Sequence, residues 1–372
     1  MQQTTTCSGE ESGAASSARA RTLGRVFWLA TYAYTSLLLV HAFITFTGLT
    51  LSAFGGFQPM IDGSAHRPYI SRALVPMVIR GISSATPNAM KHAVLQVLGS
   101  RGFIPEFYLR GYSYEKVVFL CIAWAFFLAT AYMFKALARQ FYCLSENTAG
   151  VVGVAGLMLV PLLFRYFTYV YDPATIFFAT LMLLLAARHK AAFFFLAFTL
   201  ACVNKETAIL GMPVFAIFYW REYPRRMTAA ASAGLTAIWV AVRTALKYRY
   251  AGSPGADLEI HFWDHTAHVV TRYPMSLAFA ITVMGVLIGV AMWGWRDKPR
   301  ELNIACLATL LPLIVSAVAF GFPEETRVYY EAYPYLLLLG VPTVLSIQGA
   351  KSQREPMPPE LTLRRDPVEV ER

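Results

Sequence analysis

Long apolar runs constrain this chain more than any other feature of its sequence. Hydrophobic residues make up 56% of the 372 positions and charged residues only 15%, whereas soluble domains carry about a quarter charged residues. A helix of about 20 apolar residues crosses a hydrocarbon core roughly 30 Å thick. Because backbone N–H and C=O groups in lipid must be paired within the segment, such runs are helical. The sequence therefore predicts an all-α, polytopic transmembrane helix bundle.

About ten spans are predicted. The first, Val26 to about Leu49, is longer than the apolar region of a signal peptide, so we interpret it as an uncleaved helix with its amino end inside. The transmembrane domain is predicted over 23–348, between polar tails at 1–22 and 349–372 that are predicted to be disordered. The other nine spans are predicted, to within a few residues, at 115–137, 148–168, 173–187, 191–204, 206–220, 227–246, 275–295, 302–320 and 332–348.

Basic residues mark one side of the predicted bundle. When the ten spans alternate in direction, lysines and arginines concentrate on the side of both termini, as in the segments 221–226 and 296–300. Cytoplasmic loops of membrane proteins carry this excess, so we predict a multi-pass protein of the cell inner membrane with both termini cytoplasmic. The formal charge of +10 is then explained by membrane topology, and nucleic-acid binding is not expected.

Three of the predicted spans, 173–187, 191–204 and 206–220, are short for a full crossing at about 1.5 Å per residue. Short helices are tolerated at membrane depth where they border protein or a water-filled cavity. They predict a recess near Asp172 and the turn Asn204-Lys205-Glu206. Local thinning of the bilayer is the alternative explanation.

Two long segments, about 50–114 and 247–274, are predicted on the outer side of the membrane. In the first, Pro87 occupies a helix-start position, and apolar residues follow at helical spacing as far as Gly99. This pattern predicts a helix that lies in the membrane interface and contacts membrane lipids.

Metal binding and disulfide formation have little support in the sequence. In the second outer segment, His261, Asp264 and His265 have a spacing compatible with a metal site, but a hydrated loop is the simpler interpretation. The cysteines are scattered without a C-x-x-C pair, and we interpret them as small buried hydrophobes. They are Cys7, Cys121, Cys143, Cys202 and Cys306.

Ionisable residues at the predicted outer ends of the spans are the candidates for a functional site. Charges near membrane depth cost several kcal/mol unless they are paired or hydrated, so they are functional candidates by default. All of them fall on one side of the threaded bundle, where they could act together. They are Asp62, Arg67, Arg72, Arg165, Asp172, Lys205, Glu206, Glu324, Glu325 and Arg327.

The acidic candidates also have ordinary structural interpretations. Asp62 precedes Gly63 in a turn, where aspartate is common. Asp172 could be the N-cap of a helix that has Pro173 at its first position, and one carboxylate could serve both as a cap and in a site.

The basic candidates can likewise be interpreted as ordinary structural groups or as an anion-binding site. Lys205 and Glu206 could form a solvated ion pair worth about 1 kcal/mol or less, and Glu324-Glu325-Thr326-Arg327 could be an ordinary polar loop. The functional alternative is that Lys205 offers a point charge for phosphate and that Arg327 clamps an anion, because guanidinium binds phosphate in a bidentate manner.

The layout and a few motifs resemble the GT-C superfamily of integral membrane glycosyltransferases, which take sugars from polyprenyl-phosphate donors. The resemblance covers most of 23–348: a first helix, a long outer segment with an acidic residue and interfacial helices, and short helices around a cavity. The matching positions are Asp62 for the first-loop acidic residue, Tyr171-Asp172-Pro173 for the second acidic site, Asn204-Lys205-Glu206-Thr207 for a motif of related bacterial membrane proteins, and Glu325-Thr326-Arg327 for a late outer-loop motif.

The resemblance implies transfer of a sugar from a lipid-linked donor to an acceptor at the outer leaflet. Asp62 would take a proton from the acceptor hydroxyl as general base. Asp172 and Glu206 would orient the acceptor, the neighbouring cations or a divalent metal ion, whose requirement stays open. The residues implied to stabilise charge on the leaving polyprenyl phosphate are Arg72, Lys205 and Arg327.

Two other functions fit the same pattern of residues. A carrier or flippase for an anionic or lipid-linked solute would use the same cations, and Pro161, Pro213 and Pro312 fall inside predicted spans, although the repeated halves common in transporters are not seen. A noncatalytic membrane subunit would use these charges for assembly alone.

Overall fold

The computed structural model describes residues 14–47, 49, 52, 54–101, 113–164, 167–258, 260–263 and 265–347, and within them it contains helices and turns but no strand. The all-α class is confirmed for this part of the chain. The α-helices are α1 (Ala14–Thr47), α2 (Phe57–Asp62), α3 (Leu74–Ala85), α4 (Asn88–Arg101), α5 (Tyr114–Tyr142), α6 (Glu146–Met158), α7 (Asp172–Ala187), α8 (Ala191–Asn204), α9 (Gly211–Tyr219), α10 (Arg225–Arg249), α11 (Val269–Arg272), α12 (Pro274–Met292), α13 (Arg300–Ala319) and α14 (Tyr333–Ile347). Short 3-10 helices occupy Tyr69–Ser71, Val160–Leu163, Glu206–Leu210, Thr266–His268, Trp295–Asp297 and Thr326–Tyr329.

Six helical segments in the described residues are long and apolar enough to cross a membrane, and they indicate a membrane protein. A helix is also present at each of the ten predicted span positions. Four of these ten helices are shorter than 18 residues and are not among the six long ones; they are α7, α8, α9 and α14. The six segments are Thr22–Thr45, Tyr114–Tyr142, Glu146–Leu163, Arg225–Arg249, Pro274–Met292 and Arg300–Ala319.

Helix α1 begins earlier than the sequence patterns predict. It starts at Ala14, inside the segment predicted to be a disordered tail. Residues 14–21 are rich in alanine and arginine, which have high helix propensity, so the apolar helix extends back through them. Residues 1–13 and 348–372 lie outside the described residues.

The first outer segment contains more helix than the sequence patterns predict. The predicted interfacial helix is present as α4, and its Met90 and Val97 are 56% and 55% exposed. Helix α3 was not predicted. Its inner face buries Val75 and Ile79, while apolar residues such as Met77 stay exposed on the other side. Apolar residues recur at helical spacing at Leu74, Val75, Val78, Ile79 and Ile82, so the periodicity that marks α3 is present in the sequence and was not used.

The cysteines are only partly buried. Cys202 and Cys306 lie in the core as predicted, but Cys121 and Cys143 are exposed, so the prediction of buried cysteines is wrong for these two. Cys121 lies on an outward face of α5 and Cys143 on the turn that ends it. Cys7 lies outside the described residues.

Helix α5 forms the centre of the bundle, because it packs against α1, α3, α6, α7 and α14. At one end of this core, the ring of Phe43 from α1 meets the rings of Phe119, Phe127 and Phe164 at centroid distances between 5.3 and 6.3 Å. The aromatic cluster anchors the segment before α7, which leads into the candidate site.

Glycines let α6 approach its neighbours closely. A Cβ atom added at Gly150 would lie 2.3 Å from the ring of Trp28, and one at Gly156 would lie 2.4 Å from the ring of Phe134. A Cβ atom added at Gly153 would lie 2.8 Å from the backbone oxygen of Ala131. Helices in lipid associate through close packing of small residues, so these three positions fix α6 against α1 and α5.

We expect Gly156→Ala to destabilise the protein by about 1–3 kcal/mol, because the added methyl group overpacks the α5–α6 contact. The matched control is Gly285→Ala on α12, where nothing lies within 4 Å of an added Cβ atom and alanine favours helix by up to about 1 kcal/mol. Thermal unfolding of the two purified variants measures the difference. Equal unfolding temperatures would contradict this packing.

Candidate functional site

Four segments that are far apart in the sequence meet at one end of the bundle. They are the residues before α3, the residues before α7, the turn after α8, and the 3-10 helix Thr326–Tyr329 before α14. The backbone N–H of Ala73 donates to the carbonyl oxygen of Val203 at 3.0 Å, which ties the first outer segment to the end of α8. The sequence predicted that the costly charges share one side, and the structure brings five of the ten candidates into one network, namely Arg72, Asp172, Glu206, Glu325 and Arg327.

Arg72 and Arg327 share the hydroxyl group of Tyr171 at the centre of this end. Arg72 Nη1 donates to Tyr171 Oη, and Arg327 Nη1 donates to the same oxygen at 3.3 Å. Both arginines are 8% exposed and Tyr171 is fully buried. We call these three residues, with the carboxylates that pair with them, the double-arginine cluster.

Carboxylates hold each guanidinium of the cluster. Arg72 binds Glu206 through two nitrogens, with Nε 3.1 Å from Oε2 and Nη2 on Oε1. Arg327 Nε donates to Glu325 Oε1 at 2.7 Å, and its Nη1 lies 3.9 Å from Asp172 Oδ1. The predicted residues Arg72, Asp172, Glu206 and Arg327 therefore belong to one network.

Three stacked tyrosine rings support the two arginines. Tyr169 stacks on Tyr69 at a centroid distance of 5.0 Å and on Tyr171 at 5.4 Å. The guanidinium carbon of Arg327 lies 4.3 Å from the centroid of Tyr169, and that of Arg72 lies 4.7 Å from the centroid of Tyr171. Cation–π contacts of this kind gain strength when the groups are desolvated, so the tyrosines help to stabilise the buried charges.

Both arginines stay charged in this environment. Burial alone would lower the pKa of Arg72, but the Glu206 carboxylate and Tyr171 hold that pKa above its usual value. Burial also disfavours the charged form of Arg327, and Glu325 with the neighbouring tyrosines raises its pKa above the usual value. The cluster is a permanent pair of positive groups with bound carboxylates.

Asp172 is not a helix cap. It is the first residue of α7, and its Oδ2 accepts a hydrogen bond of 2.9 Å from the N–H of Tyr169, which lies before the helix. Its buried Oδ1 has no hydrogen-bond partner in the described part of the chain, although Arg327 is nearby. The capping interpretation is therefore wrong, and the carboxylate faces the cluster instead.

Lys205 turns away from the arginines and pairs with Glu331 near the start of α14. Its Nζ lies 2.9 Å from Glu331 Oε1, and both side chains are 8% exposed. The preceding residue, Asn204, donates from Nδ2 to the carbonyl oxygen of Tyr171 at 3.2 Å and to Thr175 Oγ1 at 3.1 Å. Asn204 and Lys205 line a recess between the short helices, as predicted for this turn, but Asp172 and Glu206 are not part of its lining.

Asp62 lies outside the cluster. It is exposed at the end of α2, and its Oδ1 accepts a hydrogen bond of 2.8 Å from Gln58 Nε2. Within the described residues it forms no ion pair. The structure brings five of the six predicted site residues together and leaves Asp62 apart, on the same outer segment as Arg72.

The second outer segment is attached to the same end of the bundle. Arg67 and Lys247 both pair with Asp257, at 3.5 and 3.2 Å. His265 Nε2 lies 2.7 Å from Oε1 of the fully buried Glu324. These contacts fix the segment beside the loop that carries Arg327.

The described residues contain no group of three or more His, Cys, Asp or Glu side chains that could hold a metal ion. Of the weak metal candidates, His265 pairs with Glu324 as above, and His261 stacks on Phe322 at a centroid distance of 4.9 Å. Asp264 lies outside the described residues. Arg165, a further candidate from the sequence, also lies outside them.

Sequence reasoning missed Glu331 and the stacked tyrosines. Glu331 could have been selected from the sequence, because it is an acidic residue directly before an apolar span. Tyr169 and Tyr171 stand two residues apart before Asp172, but their contact with Tyr69 depends on tertiary packing and leaves no trace in the sequence.

No protein-family model, curated protein or solved structure matches this chain. The chemistry of the site follows from its own groups. Each guanidinium group is already paired with a carboxylate, so an anion could bind only through donors that these pairs leave unused. Arg327 Nη2 is such a donor, because it has no hydrogen-bond partner within the described residues. The nearby carboxylates can accept protons or orient hydroxyl groups.

We expect Tyr171→Phe to destabilise the protein by about 1–3 kcal/mol, because both arginines lose a buried acceptor and hydrogen bonds to charged groups are strong. Tyr169→Phe is the matched control, since that hydroxyl group bonds to no described residue while the ring stack is kept. Denaturant unfolding of the purified variants measures the free energies. A loss as large for Tyr169→Phe as for Tyr171→Phe would show that the shared hydroxyl is unimportant.

Proposed function

We propose that the chain is a membrane glycosyltransferase, similar to the GT-C superfamily, that moves a sugar from a polyprenyl-phosphate donor to an acceptor at the outer leaflet. The observation that carries the proposal is the convergence of Arg72, Asp172, Lys205, Glu206 and Arg327 at one end of the helix bundle. These residues were selected from the sequence for this chemistry, and their assembly supports a common site.

The double-arginine cluster is suited to stabilise a leaving phosphate. Charge develops on the phosphate as the glycosidic bond breaks, and fixed donors placed around that charge lower the barrier without reorganisation. Arg327 offers its Nη2 group, while Glu325 and Tyr171 hold the guanidinium in place. Lys205, one residue from Glu206, lies beside the cluster and would have to exchange its partner Glu331 for the phosphate.

In this proposal Asp62 is the general base. A base must be able to accept a proton from the acceptor hydroxyl, and Asp62 is exposed and pairs with no cation in the described residues. Gln58 fixes one of its oxygens and leaves the other open to an acceptor. Asp172 and Glu206 position the arginines and the substrates.

The proposed topology has ten membrane crossings and places the cluster on the non-cytoplasmic side of the inner membrane. Lys135 and Arg139, in the C-terminal part of α5, pair with Glu146 at the start of α6, and Arg221 pairs with Glu301. These basic groups lie at helix ends opposite to the cluster, as expected for cytoplasmic loops. The exposed apolar residues of α4 support its location in the outer interface.

The sidedness can be measured by labelling single cysteines at the two ends of α10. In a variant without its natural cysteines, we expect Gly252→Cys to react with a membrane-impermeant maleimide on intact spheroplasts. Glu222→Cys at the opposite end is expected to react only after permeabilisation. Both positions are exposed. Labelling of both from the same side, or in the reverse order, would overturn the topology.

The catalytic assignment is tested in membranes supplied with radiolabelled polyprenyl-phosphate hexoses. We expect Asp62→Asn to lower transfer of the label at least about 100-fold, the lower range for loss of a general base. Asp297→Asn is the control, because Asp297 is an exposed carboxylate at the opposite end of the bundle. Undiminished transfer by folded Asp62→Asn protein would remove Asp62 from the mechanism.

One observation favours a carrier as the second candidate. The segment from α8 to α9 is interrupted by the 3-10 helix Glu206–Leu210, and transporters often bind their solutes at interrupted helices. Counterflow of a lipid-linked or anionic solute in liposomes separates the two functions, because a transferase does not accelerate exchange.

A further inference from the structure

Helix α10 carries two neighbouring cations on its C-terminal half, and neither belongs to the double-arginine cluster. Arg243 and Lys247 are four residues apart, so their side chains are neighbours on one face of the helix, and like charges at this spacing repel. Only 11% of the apolar stretch of α10 is buried, and Val240, one turn before Arg243, is 50% exposed. The helix therefore lies at the periphery of the bundle, where it would contact lipid.

Ser71 holds the guanidinium group of Arg243 in place. Arg243 Nη1 donates to the carbonyl oxygen of Ser71 at 3.3 Å, and Nη2 donates to Ser71 Oγ at 2.9 Å. Ser71 Oγ in turn donates to the carbonyl oxygen of Pro68 at 2.7 Å. A guanidinium group has five N–H donors, so these two bonds to neutral atoms leave the others unused within the described residues.

Arg243 has no carboxylate of its own. It is half-buried and forms no ion pair within the described part of the chain. Glu206 is near enough to interact electrostatically with Arg243, but that carboxylate binds Arg72. A basic side chain at membrane depth is costly unless it is paired or hydrated, so the position calls for an external anion.

The neighbouring cation is also only partly balanced. Lys247 Nζ lies 3.2 Å from Asp257 Oδ2, and Arg67 lies 3.5 Å from the other oxygen of the same carboxylate. The Lys247 side chain is 68% exposed and keeps hydrogens that Asp257 does not use. Both carboxylates at this face are thus shared between two cations, which leaves it with a net positive charge.

The depth of the two cations matches that of lipid headgroups. Helix α10 ends at Arg249, six residues after Arg243, which is about 9 Å along the axis at 1.5 Å per residue. Tyr248 is 79% exposed, as is common for aromatic residues at a membrane interface. Long basic side chains near a helix end extend toward that interface, where the phosphate groups of lipids lie.

We propose that Arg243 and Lys247 form a binding site for the phosphate group of an anionic phospholipid. Guanidinium binds two phosphate oxygens at once, and Lys247 adds a second positive charge one turn closer to the helix end. The acyl chains would lie along exposed apolar residues of α10 such as Val240. The site differs from the double-arginine cluster, whose Arg72 and Arg327 are only 8% exposed, and it stands whether or not the chain transfers a sugar.

Lipid binding is measured by native mass spectrometry of the full chain released from an uncharged detergent. The probes are dioleoyl phosphatidylglycerol and dioleoyl phosphatidylcholine, which have the same acyl chains, and inorganic phosphate is the soluble anion. We expect one phosphatidylglycerol to bind at least about tenfold more tightly than phosphatidylcholine, a difference of 1.4 kcal/mol. Inorganic phosphate at an equal concentration is expected to leave this binding unchanged.

Two variants remove the charges separately. Arg243→Gln is expected to weaken phosphatidylglycerol binding at least about tenfold, because charge-assisted hydrogen bonds are lost. Lys247→Gln is expected to weaken it about fivefold, the effect of one basic residue near a membrane surface. Because Lys247 is exposed, its variant tests the site even if Arg243→Gln fails to fold. Arg225→Gln makes the same change in charge at an exposed position on the other end of α10, and this control should bind like the original chain.

Five results would overturn the proposal. They are equal binding of the two phospholipids, displacement of phosphatidylglycerol by inorganic phosphate, unchanged binding by folded Arg243→Gln or Lys247→Gln protein, a loss in Arg225→Gln as large as in Arg243→Gln, and preferential binding of undecaprenyl phosphate over phosphatidylglycerol. The last result would assign the site to the donor of the proposed enzyme. None of them depends on a transfer assay, so failure of this proposal is distinguishable from failure of the proposed function.

Discussion

The hydroxyl group that Arg72 and Arg327 share on Tyr171 is the contact on which the site end of the bundle depends. Two buried guanidinium groups repel each other in a medium of low dielectric constant, so they stay together only because Glu206 and Glu325 neutralise them. Removing one of these two carboxylates would typically cost about 3–5 kcal/mol, because it leaves a buried charge without its partner. The loops at this end are therefore joined to one another by buried ionic contacts.

Two different forces position the site. Apolar contact gives little net attraction between helices that are already surrounded by lipid, so close packing of small residues sets the helix positions, as Gly150 and Gly156 do for α6. The outer segments are attached both by packing, since Phe57 and Ile79 are buried in the core, and by ion pairs such as Arg67 with Asp257. Packing therefore positions the helices and part of the outer segments, and electrostatic contacts position the charged residues at the site end of the bundle.

Two kinds of feature were predictable from the sequence: those that follow from the length of the apolar runs, and those that follow from the cost of placing charges beside them. The helix positions follow from run length, the recess from the short helices α7 and α8, and the shared location of Arg72 and Arg327 from the cost of charges beside apolar runs. Individual partners were not predictable. Whether Lys205 pairs with Glu206 or Glu331 depends on backbone directions that only the packed structure sets, and the exposed position of Asp62 depends on how α2 folds back after α1.

Three consecutive residues link the double-arginine cluster to the recess. Asn204 ends α8 and bonds to Tyr171 and Thr175, Lys205 reaches Glu331, and Glu206 reaches Arg72. In a continuous helix, successive side chains point in directions about 100° apart. Lys205 instead has extended backbone angles, φ −157° and ψ 145°, which end the helix at Asn204. This break lets adjacent side chains serve two separate environments, one ionic and one neutral.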